Sequence, residues 1–188
     1  MKKRIIDRDC SLYTGWIELE YRVEDESKEI NLFTTTPNQE LDGSECELFN
    51  LENVEKLAIG KIGEITPTKT YRFQEDGTYK VYVKFKDMTI LPFSAFVDCT
   101  NLESVYIPNS IKLIEGFAFD GCTGLVAVYM PESLDFIENY AFRNCTSLSL
   151  LYTEAENAPS IEKNTFEGVN PNCELYVFKD ATGYEEWL

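Results

Sequence analysis

Four tyrosines recur at a near-constant interval. Tyr106, Tyr129, Tyr152 and Tyr176 are separated by 23, 23 and 24 residues. Each follows an apolar residue inside a short β-prone run, as Tyr106 does between Val105 and Ile107. Alternation of that kind buries one face of a strand and turns the intervening residues outward. Lys84 holds the same slot one interval earlier, and the outward slot two residues before it carries Tyr82, Ser104, Ala127, Leu150 and Glu174. A row of phenols supplies rigid aromatic area and hydroxyls, which is the chemistry of recognition. The same row would also strengthen neighbouring strands, by about 0.2–1 kcal/mol per pair. The expected partner-binding residues are therefore Tyr106, Tyr129, Tyr152, Tyr176, Lys84 and Tyr82, with a protein or a glycan as the ligand.

Other chemistries are poorly supplied. The chain has no histidine, which removes Ser-His and Cys-His nucleophile pairs and imidazole metal sites. Its 33 acidic residues against 17 basic ones give a net charge of −16. That sign opposes non-specific nucleic-acid binding and attraction to an anionic membrane. With so many carboxylates some pair always falls at a glycosidase-like distance, so the pattern carries no information about catalysis. Glu115, Glu138 and Glu162 repeat as a second ladder, read as a solvated acidic edge; calcium held between them lacks the dense oxygen cage that ion prefers. No enzyme activity, metal or cofactor is expected. Of six cysteines, Cys99, Cys122 and Cys145 keep the 23-residue step and are read as buried, reduced thiols. Cys10, Cys46 and Cys173 follow no usable spacing, so their pairing stays open, and no CxxC occurs. Asn144-Cys145-Thr146 fits the N-glycosylation pattern but lies within the repeat.

The elements that position the tyrosines are repeats. Between Pro92 and Thr153, Ala95, Ala118 and Ala141 keep step with Phe96, Phe119 and Phe142, with the three cysteines, and with Leu102, Leu125 and Leu148. A fixed period in the twenties marks a leucine-rich solenoid, in which no coil buries its apolar side alone. Pro108 and Pro131 end two strands because proline has no ladder N–H. Ile111 with Ile114, then Leu134 with Ile137, turn a second side inward. The Ala-Phe pairs follow in a helical or 3₁₀ turn, and each central phenylalanine or leucine contributes about 1.5–3 kcal/mol by burial.

The run Leu102-x-x-Val105-x-Ile107-Pro108-x-x-Ile111-x-x-Ile114-x-x-x-Ala118-Phe119-x-x-Cys122 resembles the BspA-like class of bacterial leucine-rich repeats, and the copy from Leu125 to Cys145 does so again. The resemblance covers about half the chain, from about Lys80 onward, and SIEKNTFEGVNPNCELYVF is similar to the degenerate last repeat of that class. Where the class often has glycine after the isoleucine, this chain has Glu115, Glu138 and Glu162. The resemblance implies a non-catalytic binding or adhesion protein, on the cell surface or secreted, of host-associated bacteria; a carbohydrate-binding module using the tyrosine stripe and a structural spacer domain of a larger surface assembly are the alternatives.

The expected fold is α/β but β-dominated: a short right-handed leucine-rich-repeat solenoid with parallel strands. A β-rich N-terminal domain with a capping hairpin is placed at 1–75. The solenoid, about four coils of 23 residues plus a C-terminal cap, is placed at 76–188. Residues 1–10 are charged and read as loose. WIELEYRV (16–23) and EINLFT (29–34) read as a hairpin across the polar turn 24–28, and 36–47 reads as loop. Residues 50–65 read as strands. Asp76-Gly77 signals a hairpin whose second arm, Lys80 to Phe85, starts the first coil, with Val83 and Phe85 matched to Val105 and Ile107. Tyr184, Trp187 and Leu188 are expected to fold over the last coil. MKKRIIDRDC is no signal peptide as written, and no stretch reads as a transmembrane segment, so a location inside the cell is left open beside the surface. A monomer is favoured.

Overall fold

A computed structural model describes residues 15–24, 29–35, 49–185 and 187. The expectations for residues 1–10, for 25–28, for the 36–47 loop, for Cys10 and Cys46 and for Leu188 lie outside the described residues.

Fourteen strands and two 3₁₀ turns make up the regular structure of the described residues, without an α-helix. In chain order the strands are β1 (Ile17–Val23), β2 (Glu29–Asn31), β3 (Val54–Ile59), β4 (Gly63–Ile65), β5 (Thr70–Arg72), β6 (Gly77–Phe85), β7 (Ile90–Leu91), β8 (Leu102–Tyr106), β9 (Leu113–Ile114), β10 (Ala127–Met130), β11 (Phe136–Ile137), β12 (Leu150–Thr153), β13 (Ser160–Ile161) and β14 (Glu174–Tyr176). The result is a strand-dominated solenoid of about four turns. Its longer strands form one sheet in the order β14-β12-β10-β8-β1-β6-β3-β4, and its short strands form a second, β13-β11-β9-β7. Successive coils pair in parallel and in register: Val105 beside Val128 beside Leu151 beside Leu175 on one side, and Leu91, Ile114, Ile137 and Ile161 on the other.

Like side chains therefore lie over like. Phe96, Phe119, Phe142 and Phe166 stack with centroids 5.2, 5.2 and 5.5 Å apart and planes within 12°. Cys99, Cys122 and Cys145 are fully buried and unpaired. The Cys122 thiol donates to the Phe96 carbonyl (3.0 Å) and the Cys145 thiol to that of Phe119 (3.2 Å), so each thiol ties one coil to the one before. Burial pushes all three thiols well above the ordinary thiol range. The turn before each of the three cysteines, and before Val169 in the last coil, needs a left-handed residue, filled by Asp98, Gly121, Asn144 and Gly168 at φ 57–71°; aspartate, asparagine and glycine are the types that tolerate it.

The N-terminal part departs from expectation in two ways. The hairpin between 16–23 and 29–34 does not form. β1 instead lies antiparallel between β6 and β8, while β2 pairs with β5. A local hairpin would leave one edge of β1 unpaired, whereas between β6 and β8 both edges find partners and Ile17, Leu19, Tyr21 and Val23 are all buried. The Asp76-Gly77 hairpin does not form either, because β6 has β1 and β3 as its two neighbours. Phe73 and Tyr79 pack across that turn, with centroids 4.0 Å apart.

The inserted strand leaves β6 parallel to β8, as a repeat requires, yet roughly 10 Å away, two strand spacings of about 4.8 Å. On the opposite side β7 and β9 pair directly. Tyr21 and Phe33 fill the resulting wedge. The Tyr21 hydroxyl donates to the Leu32 carbonyl (2.7 Å), and Phe33 stacks between Phe49 and Phe96 at 5.2 and 5.5 Å. The Thr34 N–H bonds the Ala95 carbonyl (3.0 Å), as the Phe96 N–H bonds that of Ala118 (2.8 Å). At the other end Trp187 covers Phe166 (5.5 Å). One continuous core runs from Ile17 to Trp187, and the sheet crosses the expected division at 75/76 without a break.

Candidate functional site

The outward slots of the long sheet are occupied by residues opposite one another across seven strands. The central row reads Ala58, Tyr82, Glu18, Tyr106, Tyr129, Tyr152 and Tyr176. Tyr106, Tyr129 and Tyr152 are half-buried. Their rings follow one another at 6.4 and 6.0 Å with planes tilted by 36° and 51°, so each presents part of its face and edge outward. Tyr176 is the most open of the four, 43% exposed. Its hydroxyl donates to Glu174 Oε2 (2.7 Å), and that hydrogen bond raises its pKa above the ordinary value.

Two of the six expected residues stand elsewhere. Lys84 is expected in the Tyr106 slot, but Tyr82 occupies that row. Lys84 lies opposite Lys56 and forms an ion pair with Glu55 (3.0 Å). Tyr82 is expected in the outward slot two residues earlier, where Lys80 stands across from Glu20 and Ser104. Tyr82 itself is only 5% exposed, so it offers little surface to a partner. Likewise it is Val81, through Leu19, and not Val83, that shares a row with Val105. A strand slipped by two residues keeps every side chain on its proper face, so alternation identifies the face and leaves the register open. The inserted β1 decides the register.

β1 also brings carboxylates that tyrosine spacing gives no hint of. Glu18 sits within the row between Tyr82 and Tyr106 and is held by Lys80 (2.7 Å). Glu20 accepts the Ser104 hydroxyl (2.9 Å). Arg22 bridges to Glu103 (3.2 Å). The alternation of WIELEYRV marks Glu18, Glu20 and Arg22 as outward-facing; only the strand's insertion makes them neighbours of the tyrosines.

The glutamate ladder is not a plain solvated edge. Glu115 Oε2 accepts the Phe93 N–H (2.7 Å) and Glu138 Oε2 the Gly116 N–H (2.8 Å), each capping a backbone group of the preceding coil. Both are half-buried, and Glu162 is exposed. Desolvation raises the Glu138 pKa, partly offset by that N–H. Among the described residues, no cluster of three or more Cys, Asp or Glu is placed to hold a metal ion. On the turn side, Arg143 lies over the rings of Phe117 (5.0 Å) and Tyr140 (4.8 Å) and forms a two-pronged ion pair with buried Asp120 (2.9 and 2.5 Å). These contacts tie adjacent coils.

The family model described as BspA type leucine rich repeat region matches residues 66–180, in six copies. That is more than half of the chain, and the chain belongs to this family. Comparison with curated proteins and comparison with solved structures each return no match. Leucine-rich repeats of this type are generally interaction scaffolds, and a repeat binding module is the role the family supports. No helix of the described residues is long and apolar enough to cross a membrane.

Proposed function

We propose that this chain is a non-catalytic adhesion module that recognises a protein partner at a bacterial surface through the row Tyr106, Tyr129, Tyr152 and Tyr176. The observation that carries the reading is the in-register row of phenols on the open face of a rigid sheet. Its rings lie on one face of the sheet and are tilted rather than stacked flat. Rigid tyrosines give contact area at low entropic cost, which is why they gather at the centres of interfaces. The stacked core beneath does not depend on them, since their neighbours Val105, Val128 and Leu151 carry the burial. The surface location is supported by the family alone.

The test is a double variant, Tyr129→Ser with Tyr152→Ser, measured with the unaltered chain against purified host and bacterial surface proteins and a glycan array. The expected result is at least a tenfold loss of affinity for a protein partner with circular dichroism and thermal midpoint nearly unchanged. Undiminished binding rejects the tyrosine row as the site. Binding confined to the glycan array rejects the protein partner.

A further inference from the structure

The two ends of the C-terminal coil are finished differently. Trp187 closes the phenylalanine column, and Thr182 pairs with Asn157 beside the loop that follows β12. β14 is the last strand of its sheet among the described residues, and it pairs with β12 alone. The Glu174 N–H turns inward to the Ser149 carbonyl (2.9 Å); by strand alternation the backbone N–H and C=O of Leu175 point away from β12. Flanking this edge are the exposed aromatics Tyr176 (43%) and Phe178 (51%). Natural edges are usually blunted by lysine, proline or a covering loop. Here aromatic side chains flank it.

We propose that the β14 edge is a docking site for an extended, lysine- or arginine-bearing segment of a protein partner, which adds a strand to the sheet. Backbone pairing supplies the attachment, and Tyr176 and Phe178 supply the apolar contact, as in strand addition generally. Charge selects the occupant. Residues 154–188 hold eight carboxylates against Lys163 and Lys179, and the whole chain carries −16. A second copy would bring the same charge to the same edge, whereas a cationic strand neutralises it and associates faster. Tyr176 is also the last member of the tyrosine row, so a strand bound here would prolong that face. The proposal stands on the edge itself, however, and does not need the other tyrosines to bind.

The probe is a capped peptide alternating lysine and valine over seven residues, with its glutamate-valine counterpart as control. Both are titrated into the full chain, with backbone amide shifts as the readout. The expected result is saturable binding of the lysine peptide, with shifts centred on residues 174–178 and affinity falling as salt rises. Replacing Tyr176→Lys with Phe178→Lys should weaken it at least tenfold, and the milder pair Tyr176→Ser with Phe178→Ser should weaken it less. The Tyr129→Ser, Tyr152→Ser double variant should bind the peptide as the unaltered chain does, which separates failure of this site from failure of the tyrosine face. The proposal is overturned by equal binding of the glutamate peptide, by shifts away from β14, by unchanged affinity in both edge variants, by no binding, or by self-association through this edge in sedimentation.

Discussion

The coils from β7 to β14 and the segments before them bury apolar side chains by different means. In the coils each residue rests on its own counterpart, so Phe119 lies between Phe96 and Phe142 at 5.2 Å on both sides, and Cys122 bonds back to Phe96. The N-terminal part has no period. It reaches the same column by inserting a strand and lending one ring, with Phe33 stacking on Phe96 at 5.5 Å, close to the repeat's own spacing. The lesson is that a solenoid end accepts any segment that offers a ring at the column and a strand at the edge, whatever its sequence pattern. Among the described residues, buried side-chain oxygens without a hydrogen-bond partner occur in both regions: the Thr34 hydroxyl, at the joint where the N-terminal segment meets Ala95, and the Ser94 and Ser110 hydroxyls and Asn139 Oδ1 in the coils.

Substitutions can break or sharpen this contrast. The largest effect is expected from Phe119→Ala, which opens a cavity at a fully buried ring and should cost about 3–5 kcal/mol in denaturant unfolding. Phe33→Ala is the paired measurement. A loss in the same range, in a single transition, makes the N-terminal segment part of one folding unit; a loss below about 1 kcal/mol breaks the comparison. Next in size is Tyr21→Phe, which removes the hydroxyl that satisfies the buried Leu32 carbonyl and should cost about 1–3 kcal/mol with the fold retained. Thr34→Val is expected to act in the opposite sense, raising stability by about 1 kcal/mol, because it removes an unpaired buried hydroxyl. A destabilised Thr34→Val would show that the joint is better satisfied than its geometry indicates.

The smallest effect concerns the glutamate ladder. Glu138 has its pKa raised above the ordinary 4.5, mainly by desolvation. The folded state therefore holds this proton more tightly than the unfolded state does. Its contribution is most favourable below pH 4.5 and is lost as pH climbs from there through the raised value. Glu138→Gln, which keeps an oxygen for the Gly116 N–H, should gain stability relative to the unaltered chain over that window, and only slightly because the half-buried side chain is still screened by solvent. Equal pH dependence of the two proteins would dismiss the effect.

What a single chain could show of this fold follows from how its parts are stabilised. Repeats announce themselves because each position meets a copy of itself. Phe96, Phe119 and Phe142, the three cysteines and the tyrosines of β8, β10, β12 and β14 were placed correctly by counting. The left-handed turn residues Asp98, Gly121 and Asn144 fall in the same step. The N-terminal strand carries no such label. Its alternation sets Trp16, Leu19 or Tyr21, and Val23 against Glu18, Glu20 and Arg22, yet an alternating strand pairs equally well with any neighbour of matching face. For that reason the pattern is compatible with a local hairpin, and it leaves the slots of Lys84 and Tyr82 open to a shift of two.

The amino-acid sequence by itself therefore determined the coil, its period, its dry column of rings and thiols, and the outward row from Tyr106 to Tyr176, because period and alternation are local properties of the chain. Only the tertiary structure decided that β1 enters between β6 and β8, that Tyr82 is covered while Glu18 joins the row, and that β14 is the outermost strand of its sheet among the described residues. Those outcomes depend on which of several equally patterned edges each strand meets, and that choice is made by long-range burial and by the demand that every inner N–H and C=O find a partner.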